Sequence, residues 1–360
     1  MAVKKEETTE TTSNKDAGLK AALSEIQKQF GKEAIISFTD NSARKELEYV
    51  SSGSLSLDLA LGGKGYPKGR IVELFSEPSC GKTTICLHAV AEVQKQGGKA
   101  AYFDLENALD LEYAAKLGVK VDELIFSQPD SGEQALEMAN ILMKNNAVDI
   151  VVFDSVAAMI PRAELEGNIG DNFIGTTARL LSQGLKKIAQ SAARANCLVM
   201  FVNQTRNKIG VMYGSPLTTS GGEALKFYAT QRLHITRTTK PLEERGEAVG
   251  NETKVKVVKN KVAPPFRIAE FVIEYNKGIS IESEVFKLGV KLNIIEKAGS
   301  FYSYDPGSSE LVRCQGEAKF KQYLQDHQDI KEQLITKIKE SIASGGAEDI
   351  VEAEDTGAEE

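Results

Sequence analysis

The chain has 360 residues, and its 51 Asp and Glu exceed its 44 Lys and Arg, which gives a formal net charge of −7. A chain of this length folds into about two or three domains, and no apolar run in it is long enough to predict a transmembrane helix. The four cysteines have no metal-binding spacing and the polar N-terminus has no apolar signal region. We therefore expect a reducing, cytoplasmic setting without a disulfide framework, a zinc site or a membrane partner.

The negative charge is concentrated at the C-terminal end. Residues 345–360 hold seven Asp and Glu and neither Lys nor Arg, which leaves 44 acidic and 44 basic residues in the remainder of the chain. That remainder is neutral and can carry local basic surfaces. We expect residues 343–360 to form a disordered acidic tail, which either solvates the protein or competes with a polyanion for such a surface.

The N-terminal part predicts a disordered segment followed by an amphipathic helix. Residues 1–16 are rich in Lys, Glu and Thr, whereas apolar residues recur at helical spacing between Leu19 and Phe30, just before Gly31. This helix packs either on its own domain or on a neighbouring subunit. Linker-like sequence with room for a short strand follows, up to residue 50.

The stretch from Ile71 to Thr84 has the layout of a phosphate-binding loop. An apolar, strand-like run (Ile71–Phe75) enters a turn-prone loop, which opens into Gly-Lys-Thr-Thr and a helical pattern. In such a loop backbone N–H groups cradle phosphates, the Lys reaches the β and γ oxygens, and the hydroxyl holds Mg²⁺. The strict pattern has Gly where this chain has Ser76, so a chance Gly-Lys-Thr after a strand is the alternative interpretation.

Strands and helices alternate after this loop. Apolar strands are predicted at residues 100–105, 150–153 and 197–202, with helices at 131–145 and 175–195 between them. This order predicts an α/β fold in which a mostly parallel sheet is covered by helices on both faces. Further strands extend the sheet in an antiparallel arrangement, and a small α/β unit follows. The elements predicted here are strands at 232–237, 254–259 and 266–275 and helices at 282–292 and 319–341.

Three polar side chains follow the apolar strands, at the carboxyl ends where parallel sheets place their ligands. Asp154 fits a Walker B acid that meets the Mg²⁺ shell, or a carboxylate that caps a turn. Glu106 fits a group that orients or deprotonates a water in line with a γ-phosphate, or an acid that caps a helix. Gln204 fits an amide that senses the γ-phosphate and passes its presence to the next loop, an interpretation that the pattern alone does not establish.

Two polar loops and one basic strand are candidates for ligand binding. Residues 166–175 are rich in glycine, whereas residues 205–222 lack periodicity and combine Arg206 and Lys208 with apolar side chains. Cations and apolar side chains on one loop suit single-stranded nucleic acid, and an active-site lid is the alternative. Lys254–Lys261 alternates cations with apolar residues, which predicts either a solvated basic strand or a cation delivered to a phosphate on another subunit.

Together these residues resemble the bacterial RecA recombinases over about residues 17–341. The resemblance implies a P-loop, RecA-like ATPase core at residues 51–279. It also implies an N-terminal polymerisation helix and strand at 17–50 and a C-terminal domain at 280–342 that gathers duplex DNA. Besides the phosphate loop and the strand ends, the matching blocks are Ser51–Asp58, Ser127–Glu137, Lys208–Met212, Ala224–Ala229 and Lys254–Lys261.

The resemblance also implies a function. Such proteins form a helical filament on single-stranded DNA with ATP between subunits, pair that strand with homologous duplex, and exchange strands with DNA-dependent ATP hydrolysis. They also stimulate self-cleavage of the SOS repressor. We therefore expect ATP and Mg²⁺ as cofactors, and single- and double-stranded DNA, further copies of the chain and the SOS repressor as partners. An ATP-gated, DNA-bound scaffold with little turnover is the alternative; a hexameric helicase-like motor fits the domain order less well.

The resemblance assigns roles to individual positions. The catalytic positions are Glu106, Lys82, Asp154, Gln204, Lys259 and Lys261, of which the last two reach the γ-phosphate across a subunit interface. The nucleotide-binding positions are Ser76, Glu77, Pro78, Ser79, Cys80, Gly81, Lys82, Thr83 and Thr84 in the loop, Asp110 and Tyr113 at the adenine, and Tyr275 from the neighbouring subunit. Thr83 and, through water, Asp154 are the Mg²⁺ positions. The DNA-binding positions are Gly167, Ile174, Arg179, Arg206, Lys208, Ile209, Gly210, Met212, Gly221 and Gly222 in or beside two loops (166–175 and 205–221), with Lys297 and Lys319 in the C-terminal domain. Phe227 matches a subunit-interface position.

The phosphate loop departs from the family's pattern. Ser76 stands where the family has Gly, Pro78 lacks the N–H that another residue would donate, and Asn107 replaces a His after the catalytic Glu. If the first loop position needs a positive φ, Ser76 adds strain of about 1 kcal/mol or more. The departures leave the chemistry intact, and nucleotide affinity is the property that they put in question.

Overall fold

The computed structural model describes residues 6–31, 34–35, 46–168, 170–173, 175–207, 217–244, 246–307 and 311–342. The chain divides into two compact units, residues 1–47 and 48–360. In the first, helix α1 spans Glu6–Phe30 and ends at Gly31, whose φ is 96°. The helix therefore includes part of the segment predicted to be disordered. Glu, Lys and Thr provide no apolar side chains for a core, but they do not prevent helix formation. Most of the linker and short strand predicted between this helix and residue 50, and the acidic tail from residue 343, lie outside the described residues.

The second unit contains the remaining elements. Its helices are α2 (Leu55–Ala60), α3 (Lys82–Lys95), α4 (Leu111–Lys116), α5 (Gly132–Lys144), α6 (Arg162–Leu165), α7 (Thr176–Ala195), α8 (Ala224–Tyr228), α9 (Ile281–Lys291), α10 (Glu317–Asp326) and α11 (Gln328–Ser341). Its strands are β1 (Tyr49–Val50), β2 (Tyr66–Pro67), β3 (Ile71–Ser76), β4 (Ala100–Asp104), β5 (Ile125–Ser127), β6 (Ile150–Asp154), β7 (Leu198–Asn207), β8 (Leu217–Thr219), β9 (Gln231–Arg237), β10 (Leu242–Glu244), β11 (Glu247–Asn260), β12 (Ile268–Glu274), β13 (Gly278–Ile279), β14 (Glu296–Ala298), β15 (Phe301–Tyr304) and β16 (Val312–Gln315).

A central sheet organises the second unit, with strand order β13-β12-β11-β9-β3-β7-β6-β4-β5. The strands from β9 to β5 pair in parallel, whereas β11, β12 and β13 continue the sheet antiparallel. Helix α3 packs on one face, and α5 and α7 pack on the other. Both faces are therefore buried, which explains the continuously apolar strands and confirms the predicted fold class.

A row of stacked aromatic rings crosses three neighbouring strands on the face that α5 and α7 cover. The ring centroids of Phe103 and Phe153 are 5.3 Å apart, and those of Phe153 and Phe201 are 4.6 Å apart. Since side chains alternate between the faces of a sheet, the residues next to these rings point to the α3 face. Asp154, directly after Phe153, is one of them, and it contacts α3 through Thr83.

The C-terminal part, from α9 to α11, encloses a core of its own around Phe286 and Phe320. It contains an antiparallel sheet, β14-β15-β16, in agreement with the predicted α/β unit. The positions of these strands were not predicted, because they have only three or four residues and little alternation. The single helix predicted for residues 319–341 is two helices, α10 and α11, separated at His327, whose φ of −125° and ψ of 82° are not helical.

Two side chains, the buried Glu284 and the partly buried His88, connect this part to the sheet and its helices. Glu284 of α9 accepts hydrogen bonds from the Ser54 hydroxyl (2.6 Å) and from the N–H groups of Ser56 (3.2 Å) and Leu55 (3.3 Å), at the start of α2. Nε2 of His88, on α3, accepts a 3.0 Å bond from the N–H of Ile279, just before α9. Burial raises the pKa of Glu284 to about 7 and lowers that of His88 to about 4.

In the parts of the chain that the structure describes, no helix combines the length and the apolar character that crossing a membrane requires.

Candidate nucleotide-binding site

The predicted phosphate loop joins the end of β3 to the start of α3. Gly81 occupies the N-cap position of α3 with φ 91°, and a Cβ on it would come within 2.5 Å of the Ile273 side chain. The loop therefore requires glycine at this position. A helix begins here with its first N–H groups free to meet an anion, which is the physical basis of a phosphate cradle.

The backbone of the loop decides whether Ser76 is strained. Ser76 ends β3 without a positive φ, so the condition for strain at this residue is not met. The positive φ falls instead on Ser79, at 59°. Ser76 fits because it continues the extended strand, and the sharp turn comes three residues later. Cys80 is buried and its Sγ lies 3.7 Å from the Pro78 carbonyl oxygen.

The loop borders a cavity of about 550 Å³. Its lining includes the loop from Pro78 to Thr84 together with Glu106, Asp154 and Gln204, so the three predicted strand ends meet at the phosphate loop. The lining combines polar and apolar side chains, and the volume suits a ligand of nucleotide size.

Lys82 begins α3 and is 9% exposed. Its Nζ donates to Ser76 Oγ (2.9 Å) and to the Glu77 carbonyl oxygen (2.9 Å). Burial lowers the pKa of Lys82, and the nearby thiol of Cys80 and carboxylates of Asp154 and Glu106 oppose that shift. The lysine is held inside the loop, at the edge of the cavity.

Thr83 and Asp154 are in direct contact. The Thr83 hydroxyl donates to Asp154 Oδ2 over 2.7 Å, and the Tyr102 hydroxyl donates to the same oxygen over 2.7 Å. Burial raises the pKa of Asp154, and these two hydrogen bonds oppose the increase. A hydroxyl beside a carboxylate at a phosphate loop is an oxygen-rich donor set of the kind that Mg²⁺ binds, so the residues fit this ion.

Glu106 and Gln204 meet across the sheet. Gln204 Nε2 donates to Glu106 Oε1 over 2.9 Å, and the Ser155 hydroxyl donates to the same carboxylate oxygen. Ser155 follows Asp154 through a cis peptide bond. Asn107, after Glu106, has φ 55°, a conformation that asparagine tolerates better than most residues. The carboxylate is thus held by donors from two different strand ends.

Two tyrosines also border the cavity. The Tyr113 hydroxyl lies 2.9 Å from Thr84 Oγ1, and the Tyr275 hydroxyl accepts a 2.8 Å bond from Asn251 Nδ2. Tyr275 lines the cavity of its own chain, whereas the resemblance assigned it to the nucleotide of a neighbouring subunit. Asp110 caps α4 by accepting the N–H groups of Glu112 (2.9 Å) and Tyr113 (3.1 Å), so its carboxylate has a structural role beside any contact with a base.

The antiparallel part of the sheet adds residues that the sequence did not single out. They come from β9, β11, β12 and the turn after β12, which lie beside the phosphate loop because β9 pairs with β3. The alternation of apolar and polar residues in these strands did not predict that they line the cavity, since an ordinary half-buried strand has the same pattern. The additional lining residues are Arg237, Asn251, Thr253, Ile273, Glu274 and Asn276.

Lys259 and Lys261 lie apart from this cavity. Nζ of Lys259 donates to the carbonyl oxygens of Lys226 and Phe227 (3.2 Å), and Nζ of Lys261 to that of Phe227 (3.2 Å), at the end of α8. The Phe227 side chain is 71% exposed. Burial, Lys261 and Arg232 lower the pKa of Lys259. The two lysines and Phe227 thus form one surface, which is not part of the lining of the cavity.

The predicted DNA-binding residues are only partly described. Ile174, Lys208, Ile209, Gly210 and Met212 lie outside the described residues. Arg179 and Arg206 are exposed, as are Lys297 and Lys319 on the C-terminal part. Arg206 pairs with Thr218 in the ladder between β7 and β8, which places both ends of the second loop next to Gln204. Gly221 and Gly222 have φ values of 83° and 78°, and Gly167 packs so closely on Phe173 that a Cβ would collide with the ring.

A strand, a phosphate loop and a helix, with acids at neighbouring strand ends, define a P-loop nucleotide-binding protein. Two family models match the chain: the RecA N-terminal domain over residues 17–280 and the RecA C-terminal domain over residues 283–343. The chain belongs to the RecA family, which confirms the resemblance seen in its sequence.

Similar proteins span nearly the whole chain. Protein RecA of Legionella pneumophila (strain Corby) is 51% identical over 350 residues, which cover 95% of this chain and 99% of that protein. Protein RecA of Bacillus cereus is 50% identical over 341 residues, which cover 94% and 98%. Among solved structures, the RadB recombinase matches 64% of this chain and 98% of its own at 22% identity, with a TM-score of 0.48.

Proposed function

We propose that this protein is a cytoplasmic, DNA-dependent ATPase that polymerises on single-stranded DNA, pairs that strand with homologous duplex and exchanges strands. Membership of the RecA family supports a role in recombination and DNA repair. The observation that carries the proposal is the meeting of Lys82, the Thr83–Asp154 pair and the Glu106–Gln204 pair at one cavity. Gln204 also stands on β7, whose end pairs with β8 at the base of the second predicted DNA loop.

The residues divide the work of ATP hydrolysis among them. Lys82 and the first N–H groups of α3 bind phosphate oxygens. Thr83 and, through water, Asp154 would hold Mg²⁺, and Tyr113 and Tyr275 border the space for the base. Glu106 orients a water and accepts its proton, with Ser155 and Gln204 fixing the carboxylate. Bound MgATP supplies the phosphoanhydride that is cleaved and the charge that Gln204 senses.

The remaining assignments concern the polymer and its partners. Lys259, Lys261 and the exposed Phe227 share a surface away from the cavity of their own chain, which supports a contribution to the nucleotide site of a neighbouring copy. We assign residues 166–175 and 205–221 to the filament's DNA, and residues 280–342 with Lys297 and Lys319 to duplex DNA. The N-terminal segment 17–50 joins subunits, and the DNA-bound filament activates self-cleavage of the SOS repressor.

A second candidate is a DNA-bound scaffold filament with little ATP turnover. It is favoured by the contacts that hold Lys82 to Ser76 and Glu77, since a lysine engaged within the loop is less available to phosphate. The scaffold would bind DNA and support repressor cleavage without exchanging strands.

ATP hydrolysis with and without single-stranded DNA, followed by a strand-exchange assay, tests the proposal. We expect DNA to raise the hydrolysis rate many-fold and the protein to convert circular single strand and linear duplex into joint products. The Lys82→Ala variant is the negative control. A rate indifferent to DNA would refute the DNA-dependent ATPase, whereas repressor cleavage without strand exchange would favour the scaffold.

A further inference from the structure

The Ser76 hydroxyl is placed as an acceptor for the lysine of the phosphate loop. Ser76 is fully buried, and its hydroxyl donates to the Glu77 carbonyl oxygen over 2.6 Å. Because the single hydroxyl proton is used in that bond, the lone pairs of Oγ are left for the Lys82 ammonium, 2.9 Å away. The direction of both bonds is thus settled by chemistry.

Lys82 has three N–H donors, and the loop occupies two of them. One donor goes to Ser76 Oγ and one to the Glu77 carbonyl oxygen. A glycine at position 76 would leave the carbonyl but would offer no hydroxyl. The sequence departure at this position therefore adds an internal partner for the cation that phosphate also needs.

We propose that Ser76 is a positioning residue whose hydroxyl competes with nucleotide phosphate for Lys82 and so weakens the binding of di- and triphosphates. The inference rests on the proposed nucleotide-binding function and deepens it. If Lys82 turns to a phosphate, the Ser76 oxygen loses the donor that it has, and at 0% exposure it has no access to water. A buried acceptor without a partner opposes binding, as does the loss of a hydrogen bond to a charged group.

The effect of Ser76 on nucleotide affinity should depend on the number of phosphates in the nucleotide. A P-loop lysine reaches the β and γ oxygens, whereas the α-phosphate is held mainly by backbone N–H groups. AMP therefore does not need Lys82 to leave Ser76, and ADP and ATP do. This dependence separates competition for the lysine from a general distortion of the loop, which would alter the binding of all three nucleotides.

Calorimetric titration of ADP and AMP into the full chain, without DNA, tests the inference. Ser76→Ala keeps the Cβ and removes the hydroxyl. We expect it to bind ADP about tenfold more tightly than the wild type, equivalent to about 1.4 kcal/mol, and to bind AMP equally well. Ser76→Thr restores the hydroxyl and should return ADP affinity toward the wild-type value. Thr336→Ala, which removes an exposed hydroxyl bonded to a helix carbonyl, is the control for loss of a hydroxyl elsewhere.

Each result bears on the inference. ADP affinity that is unchanged or weaker in Ser76→Ala, or a gain that is equal for AMP and ADP, would overturn it while leaving the proposed function in place. ADP binding by none of the variants, wild type included, would overturn the proposed function and the inference with it. Ser76→Gly has the same expected gain and replaces Ser76→Ala if thermal unfolding shows that the alanine variant does not fold.

Discussion

Gln204 Nε2 donates a 2.9 Å hydrogen bond to Oε1 of Glu106, across the intervening strand β6. Strand β6 contributes as well, because the Ser155 hydroxyl donates to the same oxygen. The candidate base is therefore held by two neutral donors, one of which stands on the strand that leads into the second predicted DNA loop. A change in the side-chain conformation of Gln204 therefore alters the hydrogen bonding of Glu106 even when the strands do not move.

The first prediction follows from this bond. Gln204→Ala removes one hydrogen bond to a carboxylate, worth about 1.5–3 kcal/mol, and with it the link between Glu106 and the loop. We expect the DNA-stimulated hydrolysis rate to fall by about tenfold or more toward the rate without DNA. ADP affinity should be retained, because ADP lacks the γ-phosphate that Gln204 is proposed to sense. Steady-state hydrolysis with and without single-stranded DNA measures the effect, with Gln322→Ala as a control, and undiminished stimulation by DNA would contradict the link.

The second prediction concerns the surface formed by Lys259, Lys261 and Phe227. If it completes the nucleotide site of a neighbouring copy, the Lys82→Ala and Lys259→Ala variants are each inactive for different reasons. Mixing them should restore part of the DNA-dependent hydrolysis, because a Lys82 from one variant then meets a Lys259 from the other. Addition of Lys82→Ala to Lys261→Ala should give the same recovery. A mixture that stays as inactive as its components would argue that Lys259 acts within its own chain.

The third prediction concerns Glu284, the buried carboxyl that caps α2. Its pKa is about 7 in the folded protein against an ordinary value of 4.5, so the folded state holds the proton more tightly. The stability that this proton contributes is complete below pH 4.5 and is lost as the pH rises through 7, by up to about 3 kcal/mol. Glu284→Gln should flatten this part of the pH dependence in denaturant unfolding measured between pH 5 and 8. The exposed Glu332→Gln should not, and equal slopes in Glu284→Gln and the wild type would refute the shift.

The fourth prediction concerns His88, whose contribution to stability depends on pH in the opposite direction. The pKa of His88 is about 4 in the folded protein against 6.5 ordinarily, because removal of the ring from water disfavours its charged form. The neutral ring accepts the Ile279 N–H. Its contribution to stability is complete above pH 6.5 and is lost as the pH falls through 4, by up to about 3 kcal/mol. The wild type should therefore lose more stability than His88→Gln between pH 6.5 and 4.5 in urea unfolding. His327→Gln, at an exposed position, is the control, and a His88→Gln profile parallel to the wild type would disprove the effect.

The sequence predicted the part of the site that depends on parallel strands. Ile150–Phe153 is apolar throughout, and Ile71–Phe75 and the strand before Glu106 are apolar apart from one acidic residue each. The residue that follows such a strand reaches the carboxyl edge of the sheet whatever the rest of the fold does. Gly-Lys-Thr between a strand and a helix likewise indicates an anion-binding loop. These features are local, so pattern and spacing were enough to predict them.

The features that depend on long-range pairing were not predictable in this way. The additional cavity residues Asn251 and Asn276 come close to the loop only because β9 pairs with β3, and no local pattern reports a strand partner. The contact between Ser76 and Lys82 depends on a rotamer. Whether Ser76 or a later residue needs a positive φ depends on the backbone of the loop, which makes its turn at Ser79. The break at His327 was hidden by apolar residues that keep helical spacing on both sides of it.

The stacked rings of Phe103, Phe153 and Phe201 have a consequence for how evolution can alter this site. Each ring locks its strand against sliding, since a shift of one residue would turn the ring to the opposite face. The positions of the polar residues that follow these strands therefore depend on aromatic residues that do not line the cavity. Substitutions of these three rings should therefore impair catalysis as well as folding. The core should tolerate substitution least at these positions.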